Sequence, residues 1–262
     1  MSSQETVKQC CSRLYESDFA KMLLGDSFHP GGLRLTERLG TLLGLTAQSR
    51  VLDIASGKGA SALFLAECFG CEVLGIDYSE RNVEQANAVA AAKGLDKRVS
   101  FRTGDAERLP VAESSFDAII CECAFCTFPD KPTAANEFAR VLRSGGAIGL
   151  SDLTRGSVLP KELDGLLAWI ACIADAQPVD RYVQYLCAAN FRVEHTESHD
   201  EALLEMVNQV RMKLLGAEIM MGLKKLDLPG VDLTAAKQMA QAALAAIRNG
   251  QCGYAIVTGC KG

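Results

Sequence analysis

Glycines and carboxylates follow two short apolar runs in the first third of the chain, in a pattern suited to binding a nucleoside. The run Val51–Ile54 leads into a turn of small residues that contains Gly57 and Gly59. Glycine lets the backbone approach a ligand closely, and the helix that follows offers free N–H groups at its N-terminus. Asp77 ends the next apolar run about 20 residues further on, where a carboxylate can accept hydrogen bonds from ribose hydroxyls.

This turn suits more than one adenosine cofactor. Gly57, Gly59 and Ala62 satisfy the spacing of the dinucleotide fingerprint, with Asp77 as its acidic residue. A single match of this kind is weak, so the turn alone leaves a nicotinamide dinucleotide and other adenosine cofactors open.

Eleven cysteines are the unusual feature of the composition. Cys121, Cys123 and Cys126 lie close together at the end of one apolar run, and Cys10 is followed directly by Cys11. Thiolates bind soft metals and metalloids, whereas free cysteine is often a small buried hydrophobic residue. Both interpretations stay open for the group at 121–126. Packing in the core is predicted for Cys68, Cys71 and Cys187.

Charge and hydropathy exclude several classes of partner. The chain of 262 residues has 27 Lys+Arg against 32 Asp+Glu, a net charge of −5, so a general electrostatic grip on nucleic acid or an anionic membrane is not expected. The N-terminus is polar, and the longest apolar stretch, 166–174, is much shorter than the ~20 residues that span a bilayer. We expect a cytoplasmic protein, and the sequence does not determine its oligomeric state.

From residue 50 onward, short apolar runs alternate with helical patterns, which predicts a parallel α/β sheet. The runs are apolar throughout, as expected of strands covered by helices on both faces. We therefore expect a doubly wound, Rossmann-like sheet of seven strands. The predicted strands are 51–54, 72–76, 99–102, 116–121, 147–151, 191–197 and 253–258.

Helical segments surround this sheet. Residues 1–45 predict two helical stretches separated by a loop with Pro30 and paired glycines. Residues 46–262 form the main domain, with helical insertions at about 154–190 and at about 200–250, the second of them before the last strand.

The segment 50–152 resembles class I S-adenosylmethionine (SAM) dependent methyltransferases. The turn after the first strand matches through Asp53, Gly57 and Gly59, although Ala55 stands where that family usually has glycine. Asp77, the Gly-Asp-Ala segment at 104–106, the Phe-Asp strand start at 116–117 and the turn at 140–146 follow in order.

The resemblance implies that SAM is the cofactor, with Asp53 near its amino group and Asp77 on its ribose. Because SAM carries an activated methyl group, the enzyme needs mainly to align an acceptor for attack. The implied cofactor-binding residues are Asp53, Ala55, Ser56, Gly57, Gly59, Asp77, Tyr78, Asp105, Ala106 and Glu122.

The segment after the fourth strand resembles arsenite methyltransferases rather than enzymes that methylate nucleic-acid bases. Cys123 matches a cysteine of that family, Glu122 replaces its asparagine, and Pro-Asp-Lys at 129–131 is shared. Cys172 matches a second family thiolate, and the Cys10-Cys11 pair is similar to its N-terminal Cys-Cys. The candidate catalytic residues are Cys123, Cys126, Cys172 and His29, and the candidate metalloid ligands are Cys10, Cys11, Cys123 and Cys172.

The resemblance thus implies a SAM-dependent methyltransferase of a small acceptor, with arsenite or another thiophilic metalloid as the sharper hypothesis. The resemblance also implies that residues 1–45 form a helical N-terminal lid over the cofactor. His29, in the loop before the first strand, is interpreted as a lid residue that orients SAM or acts as a base. The alternatives are a carbon or oxygen methyltransferase of the quinone-biosynthesis type, an NAD-dependent oxidoreductase, and a SAM sensor without catalysis.

Overall fold

The computed structural model describes residues 29–156, 163, 175–223 and 232–262. Cys10, Cys11 and Cys172 lie outside these residues, as do the first helical stretch of the predicted lid and most of the predicted helix after the fifth strand. Within the described ranges, no helix combines the length and apolar character needed to cross a membrane.

All seven predicted strands are present in one mixed sheet, which confirms the predicted doubly wound α/β architecture. The spatial order is β3-β2-β1-β4-β5-β7-β6, and β7 runs antiparallel to both of its neighbours. The strands are β1 Arg50–Ile54, β2 Glu72–Asp77, β3 Val99–Thr103, β4 Phe116–Glu122, β5 Leu142–Arg155, β6 Phe191–Ser198 and β7 Cys252–Lys261.

Three of the helices in the described ranges begin at a polar capping residue. Ser79, Asp130 and Asp232 each accept a hydrogen bond from the backbone N–H three residues further on. The helices are α1 Leu33–Leu42, α2 Ala60–Phe69, α3 Glu80–Ala92, α4 Lys131–Val141, α5 Val179–Ala188, α6 Asp200–Gly222 and α7 Leu233–Arg248, with a short 3-10 turn at Phe125–Thr127.

Two hydrophobic cores cover the two faces of the sheet. Successive side chains of a strand point to opposite faces, and accordingly Leu52 belongs to one core while its neighbour Val51 belongs to the other. Leu39 of α1 packs in the second core, whereas Phe138 of α4 packs in the first. The continuous apolar pattern of the central strands is therefore explained by burial on both faces.

Strand β5 is longer than the predicted 147–151. Leu142 pairs with Phe116 directly after α4 ends, and regular pairing resumes only where Ala147 meets Ala118. The glycine pair of the predicted turn lies inside this irregularity, with Gly145 at a φ of 74°. The glycines therefore interrupt the pairing within the strand and do not set its beginning.

The strand register aligns polar residues along the carboxyl edge of the sheet. Ile54 of β1 pairs with Ile76 on one side and Cys121 on the other, so Asp77 and Glu122 flank the turn that follows β1. Glu122 in turn pairs with Ser151 of β5. Strand β6 is parallel to β5 and ends at this same edge, which places the start of the α6–α7 insertion there. One edge therefore collects the turn, the carboxylates and the insertion.

Candidate active site at the carboxyl edge of the sheet

The turn after β1 leaves open space beside its backbone. Gly57 has a φ of 53°, and a Cβ added there would meet no atom within 4 Å. Gly59 differs, because a Cβ at that position would lie 2.4 Å from the ring of Phe101. Gly59 is thus required by packing against β3, whereas Gly57 borders a space that a ligand can occupy.

Asp77 is fixed against this turn. One of its carboxylate oxygens accepts the Gly57 N–H at 2.8 Å, and the other accepts the Ser79 N–H at 2.9 Å. The side-chain amide of Asn82 donates to the second oxygen at 3.3 Å. These donors hold the carboxylate of Asp77 at the end of β2, where the sequence predicts the ribose-binding acid.

Asp53 is a buried carboxyl group with an unsatisfied oxygen. The residue is 3% exposed, and among the described residues its Oδ2 has no hydrogen-bond partner. Burial, followed by the charges of Glu122 and Asp77, raises the pKa of Asp53 well above its usual value. Ser56 Oγ in the same turn is also without a partner in the described chain. Buried polar atoms are rarely left unpaired, so these two atoms are suited to a polar ligand.

Glu122 links three elements through its carboxylate, which is 4% exposed. Thr36 of α1 donates to it at 3.1 Å, and Ser61 in the first turn of α2 donates at 2.5 Å. Ser151 of β5 donates to its other oxygen at 3.3 Å. The residue predicted to bind the cofactor is therefore also the centre of a hydroxyl network, which we call the Glu122 network.

His29 joins this network from the loop before α1. Its ring is 7% exposed, with Nε2 3.4 Å from Thr36 Oγ1 and 3.6 Å from Glu122 Oε2. Its Nδ1 lies 3.3 Å from the carbonyl oxygen of Pro30. The structure thus brings His29 to the carboxyl edge and directs its Nε2 toward Glu122.

Tyr254 of β7 lies beneath the network and was not predicted from the sequence. Its hydroxyl is 3.0 Å from both the carbonyl oxygen and the Oγ of Ser151. Tyr254 is fully buried, and burial raises its pKa well above the usual value. Thr36, Ser61 and Ser151 were missed as well, because a lone hydroxyl forms no motif.

The remaining predicted cofactor residues lie at the ends of β2 and β3. Asp105 is half-buried, and its Oδ1 accepts the Glu107 N–H at 3.0 Å. Ala106 is partly buried against the first core, and Tyr78 is 36% exposed directly after Asp77. These residues follow neighbouring strands and therefore lie along the same edge as the turn.

The three cysteines at 121–126 differ in how deeply the structure buries them. Cys123 is half-buried at the edge with a φ of 52°, and its N–H donates to the Ser151 carbonyl at 2.7 Å. Cys121 and Cys126 are fully buried in the first core, and burial raises the pKa of Cys121 well above its usual value. In the described part of the chain, no cluster of three or more His, Cys, Asp or Glu residues could hold a metal ion.

The predicted packing of three further cysteines is correct for only one of them. Cys71 is fully buried, as predicted. Cys68 and Cys187 are exposed, contrary to the prediction, because they lie near the C-terminal ends of α2 and α5 on the solvent side.

Comparison with known proteins identifies a family for most of the chain. The family model described as a methyltransferase domain matches residues 45–208. A 27-O-demethylrifamycin SV methyltransferase from Amycolatopsis mediterranei is 36% identical over 148 residues, covering 52% of this chain and 54% of that protein. An arsenite methyltransferase from Halobacterium salinarum is 30% identical over 158 residues, covering 58% of this chain and 39% of that protein.

The structural similarity covers a larger share of the chain than the sequence similarity does. The chain spans about half the length of the curated relatives it matches. A crystal structure of a putative sarcosine dimethylglycine methyltransferase from Galdieria sulphuraria has a TM-score of 0.80 at 20% identity, covering 96% of this chain and 98% of that one. At this identity the likeness shows a shared fold, which confirms the predicted type of sheet.

Proposed function

The chain belongs to the methyltransferase domain family, and we propose that it is a SAM-dependent methyltransferase acting on a small organic acceptor. The observation that carries the proposal is the open turn at Gly57 with Asp77 hydrogen-bonded to it and the unpaired Oδ2 of Asp53 beneath it. This set of groups suits a ligand that has ribose hydroxyls at one end and a charged amino group at the other.

The donor set fits SAM residue by residue. Asp77 would hold the ribose hydroxyls, since a carboxylate after the second strand accepts such hydrogen bonds. Asp53 and Ser56 would hold the methionine half, whose amino and carboxylate groups can pair their buried unsatisfied atoms. SAM, when bound, supplies a methyl group activated by the positive charge on its sulfur.

The position of Glu122 opposes the dinucleotide alternative. A pyrophosphate binds at the N-terminus of the helix after the first strand. In this chain the carboxylate of Glu122 lies 2.5 Å from Ser61 Oγ in that first helical turn. Like charges at close range repel, so a buried carboxylate at this point disfavours an anionic ligand and favours a cationic one.

The chain's own contribution to methyl transfer is alignment. His29, Thr36 and Glu122 fasten the beginning of α1 to the edge of the sheet. A Cβ added at Gly31 would lie 3.4 Å from the Cβ of Ala202 of α6, so the same loop also lies close to the β6–β7 insertion. We infer that residues 1–45 act as a lid, and that excluding water and orienting the acceptor are the main tasks of these elements.

Calorimetry with SAM and NAD tests the cofactor assignment. Wild type is expected to bind SAM, and Asp77→Asn is expected to weaken this binding about tenfold, because a hydrogen bond to a charged group contributes about 1.5–3 kcal/mol. The matched control is Asp96→Asn, which changes an exposed carboxylate in the loop before β3. Tight NAD binding without SAM binding would contradict the proposal. SAM binding without methyl transfer to any of a broad panel of acceptors would indicate a SAM sensor.

Arsenite is a second candidate acceptor, favoured by the position of Cys123. Its half-buried thiol lies at the carboxyl edge next to Glu122, and an arsenite methyltransferase is among the similar proteins. Because the buried Cys121 and Cys126 pack in the core, further thiolates would have to come from Cys10, Cys11 or Cys172.

Arsenite titration tests this acceptor. Cys123→Ser and Cys172→Ser are each expected to weaken arsenite binding several-fold, whereas the exposed Cys187→Ser is expected to leave it unchanged. Unchanged affinity in both of the first two variants would remove arsenite and leave the carbon or oxygen of a small metabolite as the acceptor.

A further inference from the structure

Among the described residues, no lysine or arginine lies beside the buried carboxylate of Glu122. Its hydrogen-bond donors are the neutral hydroxyls of Thr36, Ser61 and Ser151. Within the described ranges no lysine or arginine forms an ion pair with it, and the nearest ring nitrogen is Nε2 of His29 at 3.6 Å. A buried charge held only by neutral groups costs stability. A cationic ligand bound beside Glu122 would offset this loss of stability.

The surroundings of Glu122 point to the same kind of ligand. The strand register places it level with Asp77 on the opposite side of the turn. Asp53, between them, keeps a buried Oδ2 that no group of the described chain satisfies. Burial is the main cause of the raised pKa of Asp53, and the charges of Glu122 and then Asp77 raise it further, so these carboxyl groups act on one another across the turn. The carboxyl groups of Asp53, Asp77 and Glu122 therefore lie close together around the turn.

We propose that the charge of Glu122 selects for the positive sulfonium of SAM, so that the site binds SAM more tightly than the demethylated product, S-adenosylhomocysteine (SAH). This inference rests on the proposed function. When a methyl group leaves SAM, the electron pair of the carbon–sulfur bond stays on sulfur, and the cationic sulfonium becomes a neutral thioether. The acceptor's electron pair forms the new bond to carbon. A carboxylate that attracts the cation loses this attraction in the product, which favours SAH release.

Binding of SAM and SAH to Glu122→Gln tests the proposal. We expect SAM affinity to fall about tenfold or more while SAH affinity changes less than about twofold, because only SAM carries the sulfonium charge. Glu122→Asp keeps the charge and is expected to keep most of the preference for SAM. Thr36→Val is the matched control, since it removes a hydroxyl of the network but no charge, and it is expected to change both affinities by a similar factor.

The stability of the ligand-free protein gives a second readout. The hydroxyls of Thr36, Ser61 and Ser151 can rotate to donate to or accept from a glutamine amide. Glu122→Gln is therefore expected to melt at the same temperature as wild type or higher, since it removes a buried charge. A purely structural carboxylate would instead give a lower melting temperature and an equal loss of SAM and SAH binding.

The outcomes separate this inference from the proposed function. Equal loss of both affinities, or no loss of either, would overturn the role of Glu122 while leaving a SAM-binding enzyme. A Glu122→Gln protein that fails to fold would also contradict the inference, because a charge kept for ligand selection is dispensable for folding. If wild type bound neither SAM nor SAH, the proposed function itself would fail.

Discussion

At the scale of single residues, two of the four non-glycine residues with a positive φ in the described chain lie beside the proposed cofactor site. Ala55 and Cys123 each follow a strand at the carboxyl edge and have φ values of 57° and 52°. An L-residue in this left-handed region costs roughly 1–2 kcal/mol compared with an ordinary conformation. Strain of this kind persists only where the surrounding structure imposes it, and it is frequent at functional sites.

Replacing Ala55 by glycine is expected to stabilise the protein by about 1 kcal/mol, because glycine adopts a positive φ without steric cost. Denaturant unfolding measures the change. Ala91→Gly is the matched control, since this exposed residue has helical geometry in α3 and should lose about 1 kcal/mol. A destabilised Ala55→Gly variant would show that the methyl group of Ala55 contributes more than its backbone conformation costs.

The residues of the site differ in how far the sequence could predict them. The sequence was enough to locate Asp53, Gly57 and Asp77. Asp53 lies near the end of β1, Gly57 lies in the turn that follows, Asp77 ends β2, and the spacing between these features is recognisable. Thr36 and Tyr254 were not, since each becomes important only through a partner far away in the chain. A hydroxyl carries no pattern of its own, and its role depends on how α1 docks and how β7 pairs.

At the scale of elements, α1 is bound to the sheet by a cluster of charged residues at β6. Arg38 of α1 donates two hydrogen bonds to the carboxylate of Glu197, both at 2.9 Å. His195 and His199 each place a ring nitrogen 2.9 Å from the same carboxylate. The cluster holds the outer side of α1, while Thr36 on the inner side belongs to the Glu122 network.

This cluster gives the protein a pH-dependent stability. The hydrogen bond from Arg38, followed by those from His195 and His199, lowers the pKa of Glu197 below its ordinary value. A carboxyl group whose pKa is lower in the folded state stabilises the protein above its unfolded pKa of about 4.3, and this contribution is lost as pH falls through the lower folded value.

Glu197→Gln is therefore expected to lower the melting temperature at pH 7 by about 2 °C, the scale of a partly exposed ion-pair network. The difference in melting temperature between variant and wild type should persist to about pH 5 and become smaller below about pH 4. Thermal melts over this pH range measure it, with Glu67→Gln as control because Glu67 forms a single exposed pair with Lys93. A difference that grows toward acid pH would contradict this account of the cluster.

At the scale of the whole molecule, the alternation of strands and helices was enough to predict the sheet, because central strands buried on both faces carry an unbroken apolar pattern. The length of β5 was not predictable, since its start depends on pairing between Leu142 and Phe116 across an irregularity.

The helices α6 and α7 form a small core of their own around Leu214 and Ala240, separate from the two cores of the sheet. Such a satellite core is expected to open more easily than the sheet.

The position of β7 has a consequence for how the molecule is made. It is the last strand in chain order, yet it lies between β5 and β6 and supplies the only strand pairing of β6 in the described sheet. Synthesis proceeds from the N-terminus, so β6 emerges from the ribosome long before the strand that it must pair with. A chain synthesised only as far as Arg248 contains the parallel strands β1 to β5 and the turn after β1, but it lacks Tyr254, which contacts Ser151 in the folded protein. The part of the site around Ser151 is therefore completed only after β7 has been synthesised.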